Sequence, residues 1–198
     1  MPRGVAIPEL RQQLLTAAER VILRDGPGRL SGRAVTTEAG VAAGLLYAHF
    51  TDLDDFLAAY AVDRSFVVIA AAGTLADRAG TGDIATDLGD ALLAIPRDTL
   101  AALTRLLVLR PELAQRVRDV LGDDTALDAI QRAAAARLET ERRLGRLAAN
   151  VDPQAVALAL TGTLHHLVLT GEDLDQRLRP AITALVGTTA NERSGNGG

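Results

Sequence analysis

The chain has 198 residues, about half of them apolar, with only three phenylalanines, two tyrosines and no tryptophan. That length suits one or two domains with a buried core, and an alanine-, leucine- and valine-rich composition favours helix packed on helix over sheet. The absence of cysteine excludes a disulfide framework and a thiolate metal site, and a formal charge of −4 argues against a protein that coats nucleic acid without regard to sequence.

Helix signals recur along the chain and strand signals do not. Leu10, Leu14, Ala18, Val21 and Ile22 keep one face apolar, with Pro8 just inside the expected start. The stretch DGPG, Asp25 to Gly28, ends this first helix. Ser31 is placed to cap a second, shorter helix running to about Ala39, and Gly40 is free to stop it with a left-handed backbone angle. A third helix is expected from about Ala42 to His49. Asp52 caps a fourth, with Asp54 and Asp55 suiting its dipole, and this helix runs past Tyr60 and Phe66 towards the loop RAGTGD at Arg78 to Asp83.

Further helices are expected at about Ile84 to Ile95, Asp98 to Leu109 and Glu112 to Leu121, broken at Pro96 and Pro111. An arginine-studded helix follows from about Thr125 to Leu144. In the last two, Val156, Leu160, Leu164, Leu167 and Val168 line one face, and Leu174, Leu178, Ile182, Leu185 and Val186 another. The polar, glycine-rich end TTANERSGNGG, residues 188–198, is expected to be disordered. The longest unbroken apolar run, FVVIAAAG from Phe66, is shorter than the roughly 20 residues of a membrane span. The start, MPRGVAIPELRQQ, lacks a secretory signal's apolar stretch, so a cytoplasmic protein with no membrane partner is expected.

The fold class that follows is all-α, with about nine helices in two parts. A compact three-helix module occupies residues 1–50, and a larger helical bundle residues 51–187. Within the module, the two short helices about a glycine turn at 31–50 form a helix-turn-helix, whose second helix lies in the major groove of DNA. Val41, Leu46 and Phe50 face inward in this reading.

The residues AVTTEAGVAAGLLYAHFTDLDDFL, Ala34 to Leu57, resemble the N-terminal domain of the TetR family of bacterial transcriptional regulators. The resemblance rests on A-G-V, then G-x-L-Y-x-H-F, then an acid-led helix. It extends back through LRQQLLTAAERVILRDGPGRLS and covers the first quarter of the chain strongly. It implies a homodimeric repressor or activator, repression being the more usual, whose paired third helices meet the half-sites of a pseudo-palindromic double-stranded DNA operator. A small-molecule effector in the larger domain would favour a spacing that does not fit DNA.

The resemblance also implies residue roles. Arg33 occupies a position that meets base or phosphate, and arginine grips guanine with two donors. Tyr47 and His49 match a Y-x-H pair that donates to phosphates, which set register without reading sequence. Ser31 caps and can also donate to a phosphate. Gly44 permits close approach of the DNA backbone. The chain departs from the family pattern at Ala42, Ala43, Leu45 and Leu53, where hydroxyl, polar or lysine side chains are usual. Residues 1–60 hold six arginines (3, 11, 20, 24, 29, 33) and seven acids (9, 19, 25, 38, 52, 54, 55), a balance of −1. Two readings stay open. Ala43 and Leu45 pack against thymine methyls while Arg33 and backbone amides carry the polar contacts, or the module is a degenerate one on a ligand-binding dimer.

In the larger domain the last two amphipathic helices are read as half of an intersubunit four-helix bundle, with Val156, Leu160, Leu164, Leu167, Leu178, Ile182 and Leu185 at the dimer interface. The ligand is expected to be largely apolar, with Tyr60, Phe66, Arg105 and His165 as aromatic or polar lining. His165 and His166 lie about 100° apart on a helix and do not share a zinc ion easily. No glycine-rich phosphate loop, nucleophile elbow or H-E-x-x-H occurs, so no enzyme, cofactor or metal site is expected.

Overall fold

The helical periodicities are realised in the computed structural model, which describes residues 7–77, 79–122 and 125–187. Among the described residues the regular elements are α-helices and two 3-10 turns, with no strand. The helices are α1 (Ile7–Asp25), α2 (Gly32–Ala39), α3 (Gly44–Tyr47), α4 (Leu53–Gly73), α5 (Ile84–Leu93), α6 (Arg97–Leu109), α7 (Glu112–Leu121), α8 (Ala126–Arg143), α9 (Pro153–Thr170) and α10 (Leu174–Gly187). The all-α class stands. Among the described residues the helices number ten, one for each segment expected above, where the total was put at about nine. The tail at 188–198 lies outside the described residues.

The chain groups into two compact units, Met1–Phe66 with Asp98–Asp123, and Val67–Arg97 with Asp124–Gly198. In the first, the predicted face of α1 is buried: Leu10, Leu14, Ala18, Val21 and Ile22, joined by Leu15 and Ala17. Val35 of α2, Leu46 of α3, and Phe56, Leu57 and Tyr60 of α4 complete this core. Each fully buried Leu or Phe adds roughly 1.5–3 kcal/mol over its exposed state. The helices α6 and α7 belong to this unit too. Arg105 Nη1 donates to the Leu23 carbonyl at 3.4 Å, and Arg110 Nη2 to Asp54 Oδ1 at 2.9 Å.

Helix α4 has 21 residues and a mean hydropathy of 1.5, so by length and composition it reaches the range of a membrane span, contrary to the expectation from its longest unbroken run. The interruption by Asp63 and Arg64 hides this in the sequence. Arg64 is buried and meets Glu19 at 3.1 Å, which marks α4 as a core helix.

In the second unit α9 packs on α8, and α10 on α5 and α9. This corrects the expected dimer interface. Val156, Leu160, Leu164, Leu167, Leu178 and Ile182 are buried within this chain, and Leu185 is half-buried. An apolar stripe marks a covered face but does not say whose helix covers it, and here the chain's own α5 and α8 contribute that cover. The outward face of α9 carries Ala155, Leu158, Ala159, Gly162 and His166 instead, with Leu158 60% exposed.

Candidate nucleic-acid interface

The site is built from the ends of short helices. Ser31 caps α2, its Oγ accepting from Ala34 N at 3.2 Å. Gly40 adopts φ +68°, and the chain closes with Gly40 N on Thr37 O and Val41 N on Thr36 O at 3.0 Å. This is the six-to-one closure that a left-handed residue after a helix permits. Val41 is half-buried, so its N–H, more than its side chain, secures the turn. Helix α1 holds the end of α2 from outside: Gln13 Nε2 donates to Ala39 O at 2.7 Å, and Arg24 Nη1 meets Glu38 Oε2 at 2.6 Å.

The third helix is shorter than the expected Ala42 to His49. Regular α-helix is confined to Gly44–Tyr47, flanked by single turns from Leu45 N to Ala42 O and from Phe50 N to Leu46 O, both 3.0 Å. The cause is local. Alanine at 42 and 43 offers no capping oxygen, and no side-chain cap bond forms at Ala43. Tertiary packing supplies what local propensity lacks. Leu46 is fully buried, and the Phe50 ring meets Phe56 of α4 edge-on at 5.0 Å. The Arg11 guanidinium lies 5.5 Å over Phe50. Reciprocal bonds then start α4, with Asp52 Oδ1 accepting from Asp55 N at 2.8 Å and Asp55 Oδ2 from Thr51 N at 2.9 Å.

Ser31, Arg33, Ala43, Gly44, Tyr47 and His49 are exposed, and Leu45 is half-buried. The Arg33 guanidinium has no partner within the chain among the described residues, whereas Arg20 and Arg24 are drawn to Glu38. No heavy atom outside the local backbone lies within 4 Å of where a Gly44 Cβ would sit, so the surface there is open. One contributor is not foreseen in the sequence. A Cβ on Gly32 would come within 2.6 Å of the Tyr47 hydroxyl, so α2 gives the Tyr47 ring a footing while the residue stays 55% exposed. No spacing rule marks Gly32; only the packing reveals it.

The residues expected to line a ligand pocket differ in their surroundings. Tyr60 is fully buried in the first unit, and burial followed by the charge of Glu19 raises its pKa, so the phenol stays neutral. Phe66 is 63% exposed, Arg105 is spent on the Leu23 carbonyl, and half-buried His165 belongs to the second unit. The second unit has a cleft of about 280 Å³ lined by Thr74, Asp77, Asp87, Asp90, Ala91, Ala94 and Arg137. Its lining is strongly charged, unlike the apolar pocket expected. Among the described residues no group of three or more His, Asp or Glu side chains is placed to hold a metal ion.

The sequence family described as bacterial regulatory proteins, tetR family, matches residues 14–60. No curated protein matches the chain. Solved structures share its fold. A gamma-butyrolactone receptor (ArpA-like protein) is 20% identical, with a TM-score of 0.73 over 96% of this chain and 92% of that one. The fatty acid degradation regulator FadR from Bacillus halodurans is 19% identical, with a TM-score of 0.68 over 89% and 94%. A TetR transcription regulator from Haloarcula marismortui is 18% identical, with a TM-score of 0.66 over 92% and 99%.

Proposed function

We propose, for a chain whose residues 14–60 are those of a tetR-family N-terminal domain, that it is a DNA-binding transcriptional regulator, acting as a repressor released by a small molecule. In this reading residues 1–50 are the DNA-binding domain and residues 51–187 bind the effector and dimerise. The observation that carries it is the exposed Arg33, without a partner among the described residues, beside an exposed Tyr47 seated on Gly32. Arg33 supplies the charge, Tyr47, His49 and the Ser31 hydroxyl donate to phosphates, and Ala43, Gly44 and Leu45 approach the groove wall. Acids nearby are otherwise engaged, Asp52 and Asp55 in the cap of α4 and Asp54 with Arg110. A regulator of this kind works in the cytoplasm.

The test is a gel shift on duplex DNA from the chain's own upstream region at low salt. Absence of any shift there, with the chain folded, rejects the reading in favour of a ligand-binding dimer with a degenerate module. A second expectation concerns Gly32→Ala. The new methyl group displaces the far end of an exposed Tyr47, so folding stability changes by less than about 0.5 kcal/mol, while operator affinity falls.

The homodimer is proposed to form through the outward face of α9, where Ala155, Ala159 and Gly162 allow close approach around Leu158. Leu158→Glu is expected to yield folded monomers in sedimentation velocity, with helical content unchanged, since Leu158 is exposed in the single chain. The effector is proposed to enter the second unit. A receptor and a metabolic regulator among proteins of similar fold support a small-molecule ligand as a class. In the cleft beside Arg137 such a ligand would set an apolar body on Ala91 and Ala94 and a polar group towards Arg137 or the carboxylates.

A further inference from the structure

Helix α4 poses a problem of specification. Its sequence, LDDFLAAYAVDRSFVVIAAAG, is apolar nearly all round once past its first turn. A helix with a single apolar stripe has one way to face its neighbour, but one without a stripe can rotate or slide with little change in buried apolar area. Beyond that turn the apolar run is broken at Asp63, Arg64 and Ser65, and the first two meet a polar row on α1.

Gln12, Thr16 and Glu19 recur on α1 at spacings of four and three, and so share a face. Gln12 Nε2 donates to Asp63 Oδ1 at 3.0 Å. Arg64 Nη2 donates to Thr16 Oγ1 at 3.3 Å, its Nε lies 3.1 Å from Glu19 Oε2, and its Nη1 donates to Asp63 Oδ2 at 3.0 Å. The guanidinium also lies 5.7 Å over the Tyr60 ring. Arg64 is 8% exposed, so its own contacts are made largely out of water, while the Gln12–Asp63 bond is exposed. A buried ion pair is weak evidence for added stability, because desolvation offsets most of the attraction; the Nε–Glu19 contact is a close ion pair without hydrogen-bond alignment, and the directional contact to α1 is the bond from Nη2 to Thr16.

We infer that Arg64 is a positioning residue, whose guanidinium, bonded to Thr16, paired with Glu19 and braced by its neighbour Asp63, fixes the rotation and register of α4 on α1. The consequence reaches α3 through contacts already described. Phe50 meets Phe56 of α4 edge-on, and α1 holds the end of α2 through Gln13 and Arg24. A shift of α4 against α1 therefore tilts the α3 segment against α2. The inference rests on the proposed DNA-binding role only for its effect on operator affinity; the geometric part stands by itself.

The chain has no cysteine, so spin labels can be placed at Glu9→Cys on α1 and Ala48→Cys beyond α3, both exposed, and diluted into excess unlabelled chain. The double variant Glu19→Leu with Arg64→Met replaces the ion pair by apolar volume and leaves Asp63 bonded to Gln12. It is expected to melt no lower than the parent, while the label-to-label distance distribution by pulsed electron resonance broadens or shifts. Operator affinity is then expected to fall about tenfold. Arg64→Lys, which keeps the charge but not the guanidinium, is expected to reproduce the altered distribution. A parent-like distribution in either variant overturns the inference, and so does a double variant that fails to fold, because the seam would then serve stability. A parent chain that shifts no DNA rejects the functional reading alone, and the label distances still judge the seam.

Discussion

Replacing Arg33 by alanine is expected to weaken operator binding by about 1–3 kcal/mol, roughly 5- to 150-fold, with the fold intact. The fold should survive because the side chain is exposed and meets no partner among the described residues, so its removal leaves nothing buried unpaired. The size of the loss follows from the poverty of the surface. Residues 1–60 carry a balance of −1, and Arg24 is drawn to Glu38 and Asp25. With Ala42, Ala43 and Leu45 unable to donate, a single cation carries a large share of the attraction. Titration by fluorescence anisotropy at several salt concentrations separates the two kinds of partner it could hold. If Arg33 grips a phosphate, its removal lowers the salt slope by about 0.9 and weakens all operator sequences alike. If it grips a guanine, its removal relaxes the preference at one base pair. Unchanged affinity at every salt concentration rejects the assignment of Arg33 to DNA.

Much of the N-terminal half is legible in the sequence because its signals are local. Ser31 as a cap, Gly40 as a left-handed stop and Asp52 at the head of α4 are each set by the chemistry of one residue and its near neighbours. The buried face of α1 follows from a period that a sequence displays directly. Where partners are distant, the same reasoning fails in a regular way. The stripe Val156, Leu160, Leu164 and Leu167 is apolar and covered, but periodicity cannot say whether cover comes from another chain or from α8. The pattern from Ala42 to His49 is helical and so overruns the third helix, while the missing cap that shortens it is visible as Ala42 and Ala43. Tyr60 reads as pocket lining by its chemistry, yet its buried neighbours on α1 and α4 make it part of a packed polar seam. Gly32 gives no signal at all, since its role is set by a ring 15 residues further along the chain.

Helix α8 shows the same limit with the largest energetic consequence. Its sequence is studded with arginines, and of these Arg137, together with Glu141, falls in phase with Ile130, Ala134 and Leu138 and is fully buried with them. Arg137 Nη1 donates to Leu75 O at 3.0 Å, and Nη2 lies 3.7 Å from Asp87 Oδ2 and 3.8 Å from Glu141 Oε1. Glu141 in turn accepts from Gly80 N at 3.0 Å and faces Arg146 Nε at 3.3 Å. Removing one member of such a group leaves charge in low dielectric without its counterpart, which costs about 3–5 kcal/mol, more than the intact group contributes over an apolar replacement. Arg137→Met is therefore expected to lower the unfolding free energy by that amount in urea titration, though methionine fills most of the volume. Glu141→Gln should cost less, because the amide oxygen still accepts from Gly80 while only the charge is removed. If Arg137→Met unfolds at the parent's urea midpoint with an unchanged slope, the network is not the electrostatic keystone of the second unit, and its apolar contacts alone hold α8 in place.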